Sequence, residues 1–125
     1  MHPKHLGVQK STSGARAKTL DSILADYGDP TIHLVKMDVD GFECDVLSGA
    51  TRMMSSYKPV FIMEPARYLL MEHGQSVEQV MSFFIPLGYR FFHEKTEKVL
   101  PSDALPISRI ICDGENINVI VRCPK

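Results

Sequence analysis

The chain has 125 residues, of which 44% are hydrophobic and 23% are charged, a composition that is typical of one globular domain and excludes disordered and fibrous proteins. Its formal net charge of -1 offers no excess of positive charge, so we expect neither nucleic acid nor an anionic membrane as a partner. No apolar run approaches the roughly 18 residues that span a bilayer, and the N-terminus lacks the apolar segment of a secretory signal. The three cysteines form no CxxC pair, which indicates free thiols in a reducing compartment. Together these features predict a cytoplasmic protein.

The first 18 residues carry four lysine or arginine residues, no acid, and several serine, threonine and glycine residues. This composition resembles a transit-peptide-like leader, since such leaders are basic, rich in serine and poor in acids. No amphipathic helical spacing accompanies it, and this favours a loop. We therefore predict that residues 1–18 form a flexible segment and that residues 19–125 form the folded domain.

A short helix and a strand are predicted next. Thr19 is a typical helix N-cap and Gly28 a typical helix stop. The helix between them carries four apolar residues that we expect on one side: Leu20, Ile23, Leu24 and Tyr27. Residues 31–38 form a mostly apolar run that ends in acids, which is typical of a parallel strand covered on both faces.

One helix is predicted to follow this strand. Its apolar residues recur at helical spacing: Phe42, Val46, Leu47, Ala50, Met53, Met54 and Tyr57. Lys58 and Pro59 should end it, because a proline disfavours helical geometry in the residue before it. Residues 60–63 are then predicted to form a second buried strand, which is closed by Glu64 and Pro65.

The remaining elements complete an α/β pattern. A helical stretch at residues 66–73 runs to Gly74, and Ser76 with Gln79 forms a capping-box signature that opens a further helix ending before Gly88. The residues expected on the inner side of that helix are Val77, Val80, Met81 and Phe84. We predict a third strand at 89–93, a long irregular loop at 94–115 and a last strand at 117–123. This order indicates an α/β fold whose final strand runs antiparallel.

Acids follow two of the predicted strands at the ends where open α/β sheets bind ligands. Asp38 and Asp40 come after the first strand, and Glu64 comes after the second. If the strands are parallel, the carboxylates converge on one edge of the sheet. They could there accept hydrogen bonds from a ligand, bind a divalent metal, or take a proton from a nucleophile. Alternatively, Asp38 and Asp40 only shape a strand-to-helix turn, and Glu64 only caps the next helix.

Other polar residues near these acids indicate structure rather than chemistry. Glu43 and Asp45 lie in the first turn of the predicted helix, where acids complement the helix dipole. A calcium loop with Gly41 at its sixth position would need a ligand at Lys36 and a bidentate glutamate at Leu47, which excludes that site.

The cysteine and histidine residues indicate no catalytic or metal site. Cys44 has no neighbour in the sequence that could act as its base, so we interpret it as a structural thiol. The five histidines form no HExxH motif, and His2 with His5 lies in the predicted flexible segment. We therefore predict no metal site.

Five segments in order resemble the signature of FkbM-type methyltransferases, approximately "tLDsl … lKiDvEGfE … vLkGa" followed by a strand and "lGY.f". They are residues 19–22 (TLDS), 34–43 (LVKMDVDGFE), 46–50 (VLSGA), 58–64 (KPVFIME) and 87–91 (LGYRF). Together they extend over about residues 19–92. One departure is Asp40, where the family more often has glutamate; the charge is kept and the reach is shortened.

The resemblance implies the C-terminal half of a Rossmann-like class I methyltransferase sheet, with parallel strands and a closing antiparallel strand. It also implies methyl transfer from S-adenosylmethionine, usually to an oxygen of a sugar or natural product, so the expected partner is a small-molecule acceptor. Asp38 would lie near the reacting methyl and could orient or deprotonate the acceptor hydroxyl. Asp40 and Glu64 are further candidate catalytic residues, and Asp38 and Gly41 are candidate cofactor contacts.

The main cofactor site of such a sheet lies on its first three strands, with a glycine-rich turn after the first. The eight glycines include no GxG pair, and no strand is predicted before Thr19. We therefore expect that the N-terminal cofactor-binding half is missing here, and that the open edge of strand 31–38 pairs with that half or with a second copy. The alternative is a non-catalytic remnant that acts as a dimerising or binding module. A strand and GxG turn in upstream coding sequence would favour the first hypothesis.

Overall fold

A computed structural model gives the fold and describes residues 16–64, 71–95, 99 and 118–124. Within these ranges the helices are α1 (Leu20–Asp26), α2 (Glu43–Ser48), α3 (Thr51–Tyr57) and α4 (Val77–Ser82), with a 3₁₀ turn at Ile85–Leu87. The strands are β1 (Leu34–Met37), β2 (Val60–Met63), β3 (Arg90–His93) and β4 (Val119–Arg122). Helices and strands are therefore interspersed along the chain, as in an α/β protein.

The four strands form one open sheet in the order β1-β2-β4-β3. β1 and β2 are parallel, with Met37 opposite Met63, whereas β4 is antiparallel to both β2 and β3. The predicted fold is confirmed: parallel strands are joined by one strand of opposite direction, as in part of a Rossmann-like methyltransferase sheet. The parallel pair brings the carboxyl ends of β1 and β2 to the same edge.

The core lies where the helices cover β2 and its neighbours. Phe61 in β2 packs edge-on against Phe84 and Tyr89, with ring centroids 5.0 and 6.0 Å away. All three rings are fully buried. The Tyr89 hydroxyl donates a 2.7 Å hydrogen bond to the Pro59 carbonyl, so its polar atom is satisfied inside the core. This cluster ties the start of β2 to the start of β3.

The single helix predicted over residues 42–57 is wrong, because α2 and α3 are separate helices that break at Gly49. The N-terminus of α1 packs into the break. A Cβ atom added to Gly49 would lie 2.9 Å from the Cβ of Thr19, closer than real Cβ atoms approach. Gly49 has an ordinary negative φ, so glycine is needed here for close approach rather than for a special backbone conformation.

Asp21 on α1 explains why a new helix begins after the break. Its N–H donates to the Gly49 carbonyl at 2.8 Å. Its two carboxylate oxygens accept the backbone N–H groups of Arg52 and Met53 at 2.9 and 3.0 Å. Asp21 thus caps α3 from about thirty residues away in sequence, and satisfies N–H groups that would otherwise lack partners at the helix start.

Several predicted helix ends are confirmed. The Thr19 hydroxyl caps α1 by accepting the Ser22 N–H, and Lys58 ends α3 in the left-handed region at φ 44°. Ser76 and Gln79 form both bonds of the capping box at the start of α4. The predicted inner residues of α4 are buried as expected: Val77, Val80, Met81 and the following Phe84.

β1 is less covered than predicted. We expected burial on both faces, but Leu34 is 58% exposed, Lys36 is exposed and only Met37 is buried. The reason is its place at the edge of the described sheet, where β2 is its one partner. The apolar side of α1 is likewise only partly covered, since Ile23 and Tyr27 are exposed.

Other predictions fall mainly outside the described residues. These are the flexible segment 1–18 apart from its last three residues, the helix at 66–73 apart from Met71 to His73, and most of the loop 94–115. Val99 of that loop pairs with Phe92 in an isolated antiparallel bridge. Cys44 and Cys123 are free thiols, as predicted. None of the helices in the described ranges is long and apolar enough to cross a membrane.

Candidate functional site

Two of the predicted acids follow the parallel strands at the same carboxyl edge of the sheet. Met37 and Met63 are register partners at the ends of β1 and β2, and Asp38 and Glu64 are the next residues of the two strands. Neighbouring strands are about 4.8 Å apart, so the two backbones are adjacent at this point. Asp38 is exposed and Glu64 is half-buried. The structure therefore places Asp38 and Glu64 after neighbouring parallel strands at one edge of the sheet, as the sequence predicted.

Asp40 and Gly41 occupy the corners of a tight turn that leads into α2. The Phe42 N–H donates to the Val39 carbonyl at 3.2 Å. Both corner residues have positive φ, 52° at Asp40 and 97° at Gly41. This pair of values is typical of a type I′ turn, in which glycine and aspartate are favoured. The turn leaves Asp40 exposed and Gly41 buried.

Glu43 is the functional candidate that sequence reasoning missed. It lies in the first turn of α2, as predicted, but it is only 2% exposed and is the one buried charged residue in the described ranges. Its spacing to Leu47, which is fully buried, places both residues on the same face of α2. That spacing is visible in the sequence, but it fits an exposed first turn as well as a buried one.

The electrostatics of Glu43 connect it to the two aspartates. Burial is the main cause that raises its pKa above the ordinary glutamate value, and the negative charges of Asp40 and Asp38 raise the pKa further. Hydrogen bonds from the backbone N–H groups of Glu43 itself and of Gly41 act in the opposite direction. The carboxyl groups of Asp38, Asp40 and Glu43 therefore influence one another, and that of Glu43 is buried.

The segment at residues 73–75 packs against the N-terminal end of α2. The rings of Phe42 and His73 are stacked with centroids 3.9 Å apart and planes tilted by 35°. Nearby, the Gln75 side-chain amide donates to the Asp45 carboxylate at 3.0 Å. Phe42 is 46% exposed and directly follows Asp40 and Gly41 in the chain. An aromatic ring therefore lies close to the acidic turn and is open to solvent.

The arrangement is suited to hydrogen bonding and proton transfer. Exposed carboxylates can accept a hydrogen bond or a proton from a hydroxyl group that approaches the sheet edge. Across the described ranges, no group of three or more histidine, cysteine, aspartate or glutamate residues has an arrangement that could hold a metal ion. Cys44 is beside Glu43 in the chain, and burial raises the pKa of its thiol, with the charges of Glu43 and Asp45 adding to this effect. A thiol of this kind is a poor nucleophile.

A groove of about 560 Å³ lies away from these acids, between α3 and the segment that leads into the 3₁₀ turn. Its lining includes Arg52, Met54, Phe83 and Leu87, and contains neither Asp38, Asp40 nor Glu64. We therefore place the candidate site at the sheet edge and not in this groove.

Comparison with known proteins shows the family. Residues 2–91 match the family model described as the methyltransferase FkbM domain, and these 90 residues are more than two thirds of the chain. The matched range includes β1, β2, the turn with Asp40 and Gly41, and Glu43. No curated protein and no solved structure matches the chain.

Proposed function

Because this chain belongs to the FkbM methyltransferase family, we propose that it takes part in S-adenosylmethionine-dependent methyl transfer to an oxygen of a sugar or other natural product. The observation that carries the proposal is the pair of acids, Asp38 and Glu64, at the shared carboxyl edge of β1 and β2. Ligands of open α/β sheets bind at that edge. The family match includes both residues.

Asp38 is the proposed reacting carboxylate. The cofactor supplies an electrophilic methyl group on a positively charged sulfur. As the acceptor oxygen bonds to that carbon, the carbon–sulfur bond would break and leave a neutral thioether, and the exposed carboxylate of Asp38 would take the hydroxyl proton. Before that step the same carboxylate orients the hydroxyl by accepting its hydrogen bond. Asp40 and Glu64 add negative charge around the same edge.

The residues at the turn fit a cationic ligand. The two exposed aspartates offer negative charge to the sulfonium and ammonium groups of S-adenosylmethionine. Gly41 stays a proposed cofactor contact. Its contribution would be a backbone group and its lack of a side chain. The open ring of Phe42 is suited to the C–H face of a sugar or another apolar ring.

The test of this function is transfer of a labelled methyl group from S-adenosylmethionine to a panel of sugar and phenol hydroxyls. It uses the chain alone and the chain complemented by an N-terminal half that carries a strand and a GxG turn. With an accepted substrate, Asp38→Asn should lower turnover by about a hundredfold or more, because the group that takes the proton is gone. Its effect on cofactor affinity should be much smaller.

The matched control is Glu78→Gln, which neutralises an exposed acid in the first turn of α4, away from the sheet edge. This variant should keep full turnover. If Asp38→Asn also keeps full turnover and only lowers the melting temperature, then Asp38 shapes the turn and the proposed catalytic role is wrong.

A non-catalytic binding module is the second candidate function. The observation that favours it is that β1 has a strand partner on one side only within the described sheet.

The methyltransferase proposal makes a prediction about cofactor binding. In that proposal the adenosine and ribose contacts come from strands that pair with the edge of β1, so the chain alone should bind S-adenosylmethionine feebly. Calorimetric titration that gives micromolar affinity for the chain alone would contradict this division of the site.

A further inference from the structure

The two faces of the sheet are buried to different degrees. Side chains alternate between the faces along each strand, and register partners share a face. The face toward the helices carries Met37, Phe61 and Val121, which are at most 3% exposed and belong to the hydrophobic core. The opposite face, here called the second face, carries five apolar residues of the four strands: Leu34, Val60, Ile62, Phe92 and Ile120.

The apolar residues of the second face lie outside the core. None of the five belongs to the buried cluster that the described helices cover, or to the partly buried residues packed against that cluster. Leu34 is 58% exposed, and three others are half-buried. Only Phe92 is buried. The second face is therefore an apolar surface that the core-forming helices do not cover.

Three cations accompany these apolar residues, and the described strands place no acid among them. Lys36 is the register partner of Ile62, and Arg90 is the register partner of Arg122. All three cations are exposed. The guanidinium of Arg122 lies over the Phe92 ring, with its carbon atom 4.2 Å from the ring centroid.

The positions of the cations give the second face a pattern. Lys36 is on β1 and Arg90 is on β3, and these are the two outer strands of the order β1-β2-β4-β3. Apolar residues of β2 and β4 lie between them. The net charge of the chain is -1, so this positive charge is a local feature and not an excess of the whole molecule. Positive charge therefore flanks an apolar centre on both sides.

The dimensions of the second face suit one helix. Four strands about 4.8 Å apart give a face about 14 Å across. A helix with its side chains is about 10 Å in diameter. Helices are the elements that cover sheet faces in α/β proteins. Two copies of this face packed together would oppose cations to cations, which disfavours a face-to-face dimer.

We propose that the second face binds an amphipathic helix of another polypeptide, in which acidic residues flank the apolar stripe on both sides. The stripe contacts Ile62 and Ile120, and the acids pair with Lys36 on one side and with Arg90 and Arg122 on the other. The proposal goes beyond methyl transfer, since it requires neither Asp38 nor a cofactor. It also differs from strand pairing at the edge of β1, which uses backbone groups.

The test uses the full chain and two designed helical peptides of about 18 residues that share one leucine stripe. Glutamates flank the stripe in one peptide, and lysines flank it in the other. Fluorescence anisotropy should give at least about tenfold tighter binding of the glutamate peptide, and salt should reduce the difference. In NMR spectra of the chain, the largest amide shift changes should lie in β2 and β4.

Charge reversal on the second face should reverse the preference. The double variant Lys36→Glu with Arg90→Glu should bind the glutamate peptide about tenfold more weakly and the lysine peptide more tightly than the wild type does. Arg16→Glu with Lys95→Glu is the matched control, because it changes the net charge equally at exposed residues outside the second face. If the reversed variant fails to fold, Lys36→Gln with Arg90→Gln should still weaken binding of the glutamate peptide by about threefold.

The apolar centre is tested by Leu34→Thr and Ile120→Thr, since threonine keeps strand propensity. Each should weaken binding of the glutamate peptide by about fivefold. Tyr27→Thr, which changes a 78% exposed residue at the end of α1, is the control and should leave binding unchanged.

Three results would overturn the proposal. The first is equal affinity for the two peptides, and the second is binding that the variants of the second face do not alter. The third is a set of amide shift changes confined to the groove beside α3. Self-association through the second face without peptide binding would also overturn it, because the occupant would then be a second copy. Loss of activity in Asp38→Asn, or its absence, does not affect any of these measurements.

Discussion

At the scale of single residues, the burial of Glu43 makes the stability of the protein depend on pH. Desolvation is the largest cause of its raised pKa, and Asp40 and Asp38 add to it. The folded protein therefore holds the Glu43 proton more tightly than the unfolded chain does. The stabilisation from this proton is fully present below the unfolded pKa and is lost as the pH rises through the raised folded pKa.

Glu43→Gln should remove this dependence, because the amide does not titrate. The melting temperature of the variant relative to the wild type should rise as the pH increases above the ordinary glutamate pKa, and should level off above the raised pKa of the folded protein. Calorimetric melting curves at half-unit pH steps measure it. Glu78→Gln, which neutralises an exposed acid of α4, is the control, and its melting-temperature difference from the wild type should not change with pH. If the difference for Glu43→Gln is also independent of pH, then burial does not shift the pKa of Glu43.

At the scale of elements, the contact between α1 and the α2–α3 break explains two segments of the family signature together. Residues 19–22 provide Thr19 and Asp21, and residues 46–50 provide Gly49. The first segment packs on the glycine and caps the helix that begins beyond it. The two segments are far apart in sequence but form one structural unit.

Asp21→Ala should therefore destabilise the protein by about 1–2 kcal/mol, because the N–H groups of Arg52 and Met53 lose their cap. Urea unfolding followed by circular dichroism measures the change. Asp26→Ala is the matched control on the same helix, since Asp26 makes an exposed ion pair with Lys18 and its loss should change stability little. Equal losses for the two variants would argue against capping by Asp21.

Gly49→Ala should cost about 1–3 kcal/mol, because the added methyl group collides with the Cβ atom of Thr19. Thr19→Gly removes that atom and should recover most of the loss in the double variant. A double-mutant cycle in urea isolates the coupling between the two positions. Additive effects would mean that the loss comes from Gly49 alone and not from the contact.

At the scale of the whole molecule, the edge of β1 that does not face β2 is the surface where a strand of another chain could pair. The Val60 N–H donates to the His33 carbonyl at 2.9 Å. In a parallel pair this register directs the backbone groups of Val35 toward β2 and those of Lys36 outward. Lys36 is also exposed in the middle of the strand, where a lysine disfavours edge-to-edge pairing. We propose that the edge pairs with another strand despite this charge.

The self-association that follows should be weak and should depend on concentration, as measured by light scattering across a dilution series. Lys36→Ala should strengthen it by removing the charge. Lys36→Pro should abolish it, because proline removes the outward N–H and leaves the bonds to β2 in place. A wild-type chain that stays monomeric at millimolar concentration, with Lys36→Ala behaving identically, would contradict pairing through this edge.

Local patterns in the sequence predicted most of the helices and strands, and they predicted that the acids lie at strand ends. Ser76 with Gln79, Thr19 and Lys58 before Pro59 act within a few residues of their own position, so their roles were predicted correctly. The order of strands and helices likewise placed Asp38 and Glu64 at strand ends. These features depend on hydrogen bonds and backbone conformations that residues close together in the sequence determine.

The sequence by itself thus determined the α/β class, the family resemblance, most helix ends and the acidic edge of the sheet. Only the tertiary structure decided that the helix over residues 42–57 breaks at Gly49, that the faces of β1 are only partly covered and that Glu43 is buried. Each of these depends on contacts between parts of the chain that are distant in sequence, such as Asp21 with α3. Helical periodicity continues unchanged through Gly49, and the spacing of Glu43 fits an exposed first turn as well as a buried one. Only the packed neighbours distinguish those alternatives.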